Sequence, residues 1–228
     1  MKHKIIRPAN MGPASVEAFF TTKSGWDMKE LMSDGAPSGR RVYLPIQKHT
    51  DRVVILEFEM KPEVADAVIT RRKDILVGVQ TADCVPIVLL DKRNLAVGAV
   101  HAGWRGTAAQ ILKKTIRAMC ENFHSEVCDM EIAIGPSIKG CCYRVGSDVY
   151  EAICESSGDG DYASERGSEL FVDLASANMQ QAVSLGVPKE NIWISEECTY
   201  CNPERFHSYR YHGDAAGRQS GFIGVISC

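Results

Sequence analysis

Three short stretches carry side chains that suit one metal ion: Gln47-Lys48-His49-Thr50, Ala82-Asp83-Cys84-Val85-Pro86 and His101-Ala102-Gly103-Trp104-Arg105-Gly106. Each follows or interrupts an apolar run that reads as a buried strand. His49, Cys84 and His101 offer two imidazoles and a thiolate. Such a set holds Zn²⁺ by three ligands and leaves the fourth corner of a tetrahedron for water or substrate, as catalytic zinc sites do. Each residue alone has a plainer reading. A buried cysteine is usually a small hydrophobe, and a histidine ending a strand is usually a hydrogen-bonded core residue. Thr81 and Asp83 beside Cys84 argue for the site, as do Gly103 and Gly106 after His101, because glycine lets backbone approach a ligand closely.

Other residues could support that chemistry. Asp83 reads either as a turn former or as a carboxylate that orients a ligand imidazole from behind, and is a weaker candidate for moving protons in catalysis. Arg105 is a candidate phosphate contact through its planar guanidinium, and the helix expected after it would add its first N–H groups. Trp104 can stack on a planar ring or pack the core. Arg205, Arg210 and Arg218 are further candidates for a phosphate pocket, unranked by sequence. Cys198-Thr199-Tyr200-Cys201 has the spacing of a zinc knuckle or a redox pair. A complete second zinc site would need two more ligands, from Cys141-Cys142 or from His207. His3, His124 and His212 have no evident partner.

The elements that must hold these residues follow from apolar patterning. Strands are expected over 16–22, 42–47, 53–59, 67–70, 75–81, 85–90 and 95–100, the last two joined as a hairpin through Asp91-Lys92-Arg93-Asn94. Helical spacing of Ile111, Leu112, Thr115, Ile116 and Met119 predicts a helix over 107–122. Further strands are expected at 130–134, 191–195 and 222–226, and helices at 148–156 and 172–185, the second closed by Gly186 and Pro188. Residues 24–39, 156–161 and 164–168 read as loops. Strands cluster early and then alternate with helices, which predicts an α+β (mixed α/β) fold: a mixed sheet core with flanking helices in one domain spanning 1–228.

Composition narrows the function. The 228 residues are 45% apolar, enough for a packed core, and the net charge of −3 with no long basic run argues against nucleic acid. No run approaches the about 20 apolar residues of a membrane span, and the first residues lack the apolar core of a signal peptide. The nine cysteines are then expected to be mostly reduced. A soluble cytoplasmic protein with a small-molecule substrate is the expectation. Oligomeric state is not legible.

The same stretches carry a resemblance. Residues 47–51, 79–86, 97–108, 134–146 and 197–210, with Gly217-Arg218, are similar to the YfiH family, known also as laccase-domain proteins and as purine nucleoside phosphorylases. The likeness runs from about residue 45 to the end; its most specific words are His101-Ala102-Gly103-Trp104-Arg105-Gly106 and Cys198-Thr199-Tyr200-Cys201-Asn202-Pro203-Glu204-Arg205-Phe206. The resemblance implies His49, Cys84 and His101 as metal ligands. It also implies phosphorolysis of adenosine, inosine, guanosine and S-methyl-5′-thioadenosine with zinc, together with adenosine deamination. It makes the Cys198–Cys201 segment a loop near the site. At two positions the chain departs from the family pattern: Lys23 stands where an arginine is usual, keeping the charge of a phosphate contact but losing the fork, and Arg144 stands where an acid is usual. Alternatives are a copper-dependent polyphenol oxidase, since two histidines and a cysteine also suit copper; a metal-free cysteine hydrolase pairing Cys84 with His101, or a peptidoglycan precursor editing factor; and a binding module without turnover.

Overall fold

The computed structural model describes residues 5–13, 15–24 and 41–225. Most of the expected loop at 24–39, and His3, lie outside them. Strands β1 (Ile5–Ile6), β2 (Val16–Thr21), β3 (Arg41–Tyr43), β6 (Ile75–Thr81) and β14 (Gln219–Val225) form a mixed five-stranded sheet in the order β1-β2-β14-β6-β3. A second mixed sheet has six strands in the order β13-β9-β7-β8-β5-β4. These are β4 (Val53–Ile55), β5 (Ala67–Thr70), β7 (Val85–Asp91), β8 (Ala96–Ala102), β9 (Met130–Ile134) and β13 (Ile192–Ile194). The fold is α+β.

Both faces of the six-stranded sheet are covered, which is why β7 and β8 read as continuous apolar runs rather than alternating ones. Val88, Leu90, Val97 and Ala99 turn toward the five-stranded sheet and meet Phe20, Val77, Val79 and Ile223. Val85, Ile87, Leu89 and Val100 turn the other way and meet Ile111, Leu112, Ile116 and Met119 on a helix. Helices α1 (Trp104–Ala108), α2 (Ile111–Phe123), α3 (Ser147–Ser157) and α4 (Leu174–Ser184) make that outer layer, and the short α5 (Tyr209–His212) lies near the chain end. No helix among the described residues is long and apolar enough to cross a membrane.

Several expectations need correction. The helix predicted over 107–122 is two helices, because Gln110 adopts a left-handed backbone with φ 58° and breaks the ladder. The strands predicted over 42–47 and 53–59 stop at Tyr43 and Ile55. The strand predicted over 95–100 runs on through Ala102, so His101 lies within β8 rather than after it. The loop predicted at 164–168 is a hairpin. Its strands β11 (Ala163–Arg166) and β12 (Glu169–Val172) pair antiparallel, and β10 (Arg144–Val145) completes a third sheet.

Candidate active site

Strand ends and the loops beside them line a cavity of about 760 Å³, within the usual range for small-molecule sites. His101 comes from β8, Cys84 from the turn between β6 and β7, and His49 from the loop between β3 and β4. Their donor atoms lie within 4.8 Å of one another. The Cys84 Sγ is 3.9 Å from His49 Nε2, and the two imidazole rings are 4.9 Å apart and edge-to-face. For Zn–N and Zn–S bonds of ordinary length, a tetrahedron puts an N and an S about 3.5 Å apart. The donor set and its spacing therefore fit a zinc ion, which would be held by His49, Cys84 and His101 Nε2.

Asp66 organises the histidines. It lies opposite His101 across the antiparallel β5–β8 pair, just ahead of the paired Ala67 and Val100. Its carboxylate accepts the Lys48, His49 and Thr50 backbone N–H groups, the Thr50 hydroxyl and, at 2.7 Å, His101 Nδ1. Three successive amides around one carboxylate form an anion-binding nest. It offsets the strain of His49, whose φ of 57° is uncommon for a residue other than glycine. With Nδ1 committed to Asp66, His101 presents Nε2 to the cavity. Burial alone would push the Asp66 carboxyl up, but the bonds from His101 and Thr50 outweigh it and hold it well below the usual range.

The same balance acts on the ligands. Burial raises the Cys84 thiol, yet hydrogen bonds from His101 and His49 bring it down to about 6. Burial lowers His101, yet Asp66 and Cys84 bring it up to about 9. The thiol therefore ionises easily against the imidazolium beside it. Gly103 leaves room for this arrangement: a Cβ there would stand 2.9 Å from Cys84 Sγ and 3.2 Å from the His49 ring. Gln47 clamps the cavity wall by a reciprocal pair of 2.8 Å bonds with the Gln80 backbone at the end of β6.

Sequence reading missed Asp66, although a charged residue inside the apolar run Val64-Ala65-Asp66-Ala67-Val68 is itself a signal, since buried charge must be partnered. Asp83 does not take the orienting role considered for it. It lines the cavity with φ 83°, and its carboxylate accepts the Thr199 hydroxyl and the Arg210 N–H, each at 2.6 Å. Arg105 does not line the cavity; it is exposed, with its guanidinium 4.3 Å from the Trp104 ring centre. It lies in the short helix α1, which ends before the break at Gln110. Lys23 is also off the cavity, bonded to the Pro203 carbonyl and 3.4 Å from His212 Nε2. Arg205 pairs with Glu197. Arg144 is exposed and pairs with Glu169, leaving its carbonyl to accept from Arg210.

Arg210 and Arg218 do line the cavity, with Thr81, Trp104, Tyr143 and Tyr209. The Thr81 hydroxyl is buried without a protein partner among the described residues. Tyr143 was not anticipated. Burial pushes its phenol up to about 12, so it remains an O–H donor near neutral pH.

The model of the family described as "Multi-copper polyphenol oxidoreductase laccase" matches residues 28–226. The chain is 42% identical over 171 residues to a purine nucleoside phosphorylase of Aquifex aeolicus, covering 75% of this chain and 76% of that one. It is 37% identical over 195 residues to the adenosine deaminase RL5 of an unknown prokaryotic organism, covering 80% and 73%. The crystal structure of YlmD from Geobacillus stearothermophilus superposes with a TM-score of 0.87 at 25% identity, over 100% of this chain and 98% of that one.

Proposed function

The chain belongs to the laccase-like YfiH family, and from that premise we propose that it is a zinc-dependent purine nucleoside phosphorylase that also deaminates adenosine. Adenosine, inosine, guanosine and S-methyl-5′-thioadenosine are the proposed substrates of phosphorolysis. One observation carries the reading: two imidazoles and an easily ionised thiol converge in a cavity of about 760 Å³ that two arginines also line. Zinc bound there would act as a Lewis acid and lower the pKa of water toward neutrality.

The chain's own groups have distinct tasks. In phosphorolysis the C1′–N9 bond breaks as a phosphate oxygen bonds to C1′, giving ribose 1-phosphate and the free base. Arg210 and Arg218 neutralise and orient the phosphate. The protonated phenol of Tyr143 donates a hydrogen bond to the departing base as negative charge develops on it. Tyr209, at the exposed rim, offers a face for the purine. In deamination, water adds at C6 and ammonia leaves. Asp66 keeps the His101 ring oriented throughout. Asp83 contributes by holding the Arg210 backbone in place rather than by moving protons.

A metal-free cysteine hydrolase is the second reading, favoured by the Cys84 thiol brought to about 6 beside His101. For a multi-copper oxidase, one would look for several histidine clusters. Among the described residues only one metal-competent group contains histidine, which supports a single catalytic ion. Adenosine incubated with and without phosphate, with products separated by chromatography, tests the proposal. Adenine appearing only with phosphate supports phosphorolysis, and inosine supports deamination. Neither product from protein loaded with zinc would refute both.

A further inference from the structure

The geometry points to a second metal centre, a structural zinc ion held by the four thiolates of Cys141, Cys142, Cys198 and Cys201. Two segments supply them. Strands β9 and β13 are parallel neighbours, paired Ile132 to Ile192 and Ile134 to Ile194, so their chains leave the sheet at the same end. The pairing continues as a bridge between Ser137 and Cys198, with the Thr199 N–H donating to the Ser137 carbonyl at 3.1 Å. Beyond the bridge each segment turns, one at Lys139-Gly140-Cys141-Cys142 and the other at Cys198-Thr199-Tyr200-Cys201. The turns bring their sulfurs face to face.

All four sulfurs lie within 4.8 Å of one another. Cys201 Sγ is 3.8 Å from Cys141 Sγ and 3.2 Å from Cys142 Sγ. Four sulfurs at the usual Zn–S distance of about 2.3 Å stand about 3.8 Å apart along each edge of the tetrahedron. Cysteines so grouped, in two turns joined by one bridge, form a single cluster rather than two pairs. A zinc tetrathiolate carries two negative charges. Lys139 lies within electrostatic reach of Cys141 and Cys198, and Arg166 binds the Gly140 and Cys141 carbonyls. His207 is not a ligand; its ring packs against Gly217.

The ion would brace one wall of the cavity. Tyr143 follows Cys142 directly, and Thr199, between the ligands of the other turn, gives its hydroxyl to Asp83, which also holds the Arg210 N–H. This site does not depend on the phosphorylase reading.

The test is zinc content by mass spectrometry, on full-length protein purified with zinc under reducing conditions, together with X-ray absorption at the zinc edge. The Cys84→Ala variant leaves the cluster untouched. It is expected to keep about one zinc per chain with an all-sulfur shell near 2.3 Å, and the further changes Cys198→Ser and Cys201→Ser are expected to remove it. Zinc-free Cys84→Ala protein, or a disulfide among the four cysteines in anaerobically purified protein, would overturn the inference. So would zinc content unchanged by the two serine substitutions. Should the serine variants fail to fold, the count and the sulfur shell of Cys84→Ala protein decide alone.

Discussion

Asp66 Oδ1 and His101 Nδ1 lie 2.7 Å apart across two antiparallel strands, and the same carboxylate gathers the three backbone amides that precede or carry His49 and Thr50. One buried acid thus fixes two of the three proposed ligands. Replacing it as Asp66→Asn is expected to lower zinc affinity about 10- to 100-fold, as losing the partner of a ligand histidine does. It should also destabilise the fold by about 3–5 kcal/mol, because one side of a buried charged network is removed. Competition with a chromogenic chelator and urea unfolding measure the two effects; wild-type affinity in the folded variant would show that Asp66 does not position His101.

Cys84→Ala is expected to abolish phosphate-dependent release of adenine while leaving the circular dichroism spectrum unchanged. An unaltered rate in the folded variant would remove Cys84 from the chemistry.

The arginines separate cleanly. Arg210→Ala and Arg218→Ala should each raise KM for phosphate about 10- to 100-fold, the worth of one hydrogen bond to a charged group. Arg105→Ala should change it less than about twofold, since Arg105 rests outside the cavity on Trp104. The reverse ranking would move the phosphate site to Arg105.

Two glycines in one motif should differ as well. At Gly103 an added Cβ would meet Cys84 Sγ at 2.9 Å, whereas at Gly106 it would meet Ile111 at 3.3 Å, a contact that a small shift relieves. Gly103→Ala is expected to lose the zinc held by His49, Cys84 and His101, and activity with it, and Gly106→Ala to retain both. Equal zinc content in the two variants would mean that the ligands do not need the space at Gly103.

A pH effect away from the site follows from Asp91, fully buried at the β7–β8 turn. Burial would raise its carboxyl, but the Ser125 hydroxyl beside it and then the hydrogen bonds from Asn94 and Arg93 outweigh this and lower it. A lowered folded-state pKa gives stability that is present above the unfolded value of about 3.9 and lost as pH falls below it. The stability gap between wild type and Asp91→Asn should therefore narrow in urea titrations as the pH drops below about 4. A constant gap would mean that the turn does not hold Asp91 ionised.

Much of this was legible in the sequence where the information is local. β5 and β6 match their predicted bounds because each is an apolar run closed by polar residues. The helix break at Gln110 was not legible, since the apolar period continues across it and only the backbone turns left-handed. His49, Cys84 and His101 could be named from residue type and family resemblance. Asp66 could not, because its partnership with His101 spans 35 positions and depends on the register of two strands. Nor could the resting place of Arg105 be read: it sits in a motif rich in site residues, and only the structure sets its guanidinium over Trp104.

The most direct measurement is reconstitution. Protein stripped of metal would be titrated with zinc in phosphate buffer while adenine release from adenosine is followed, in wild type and in His101→Ala. The account predicts negligible turnover without metal, recovery as zinc is added to wild type, and no recovery in the variant. Full phosphorolysis by metal-free wild-type protein would contradict it.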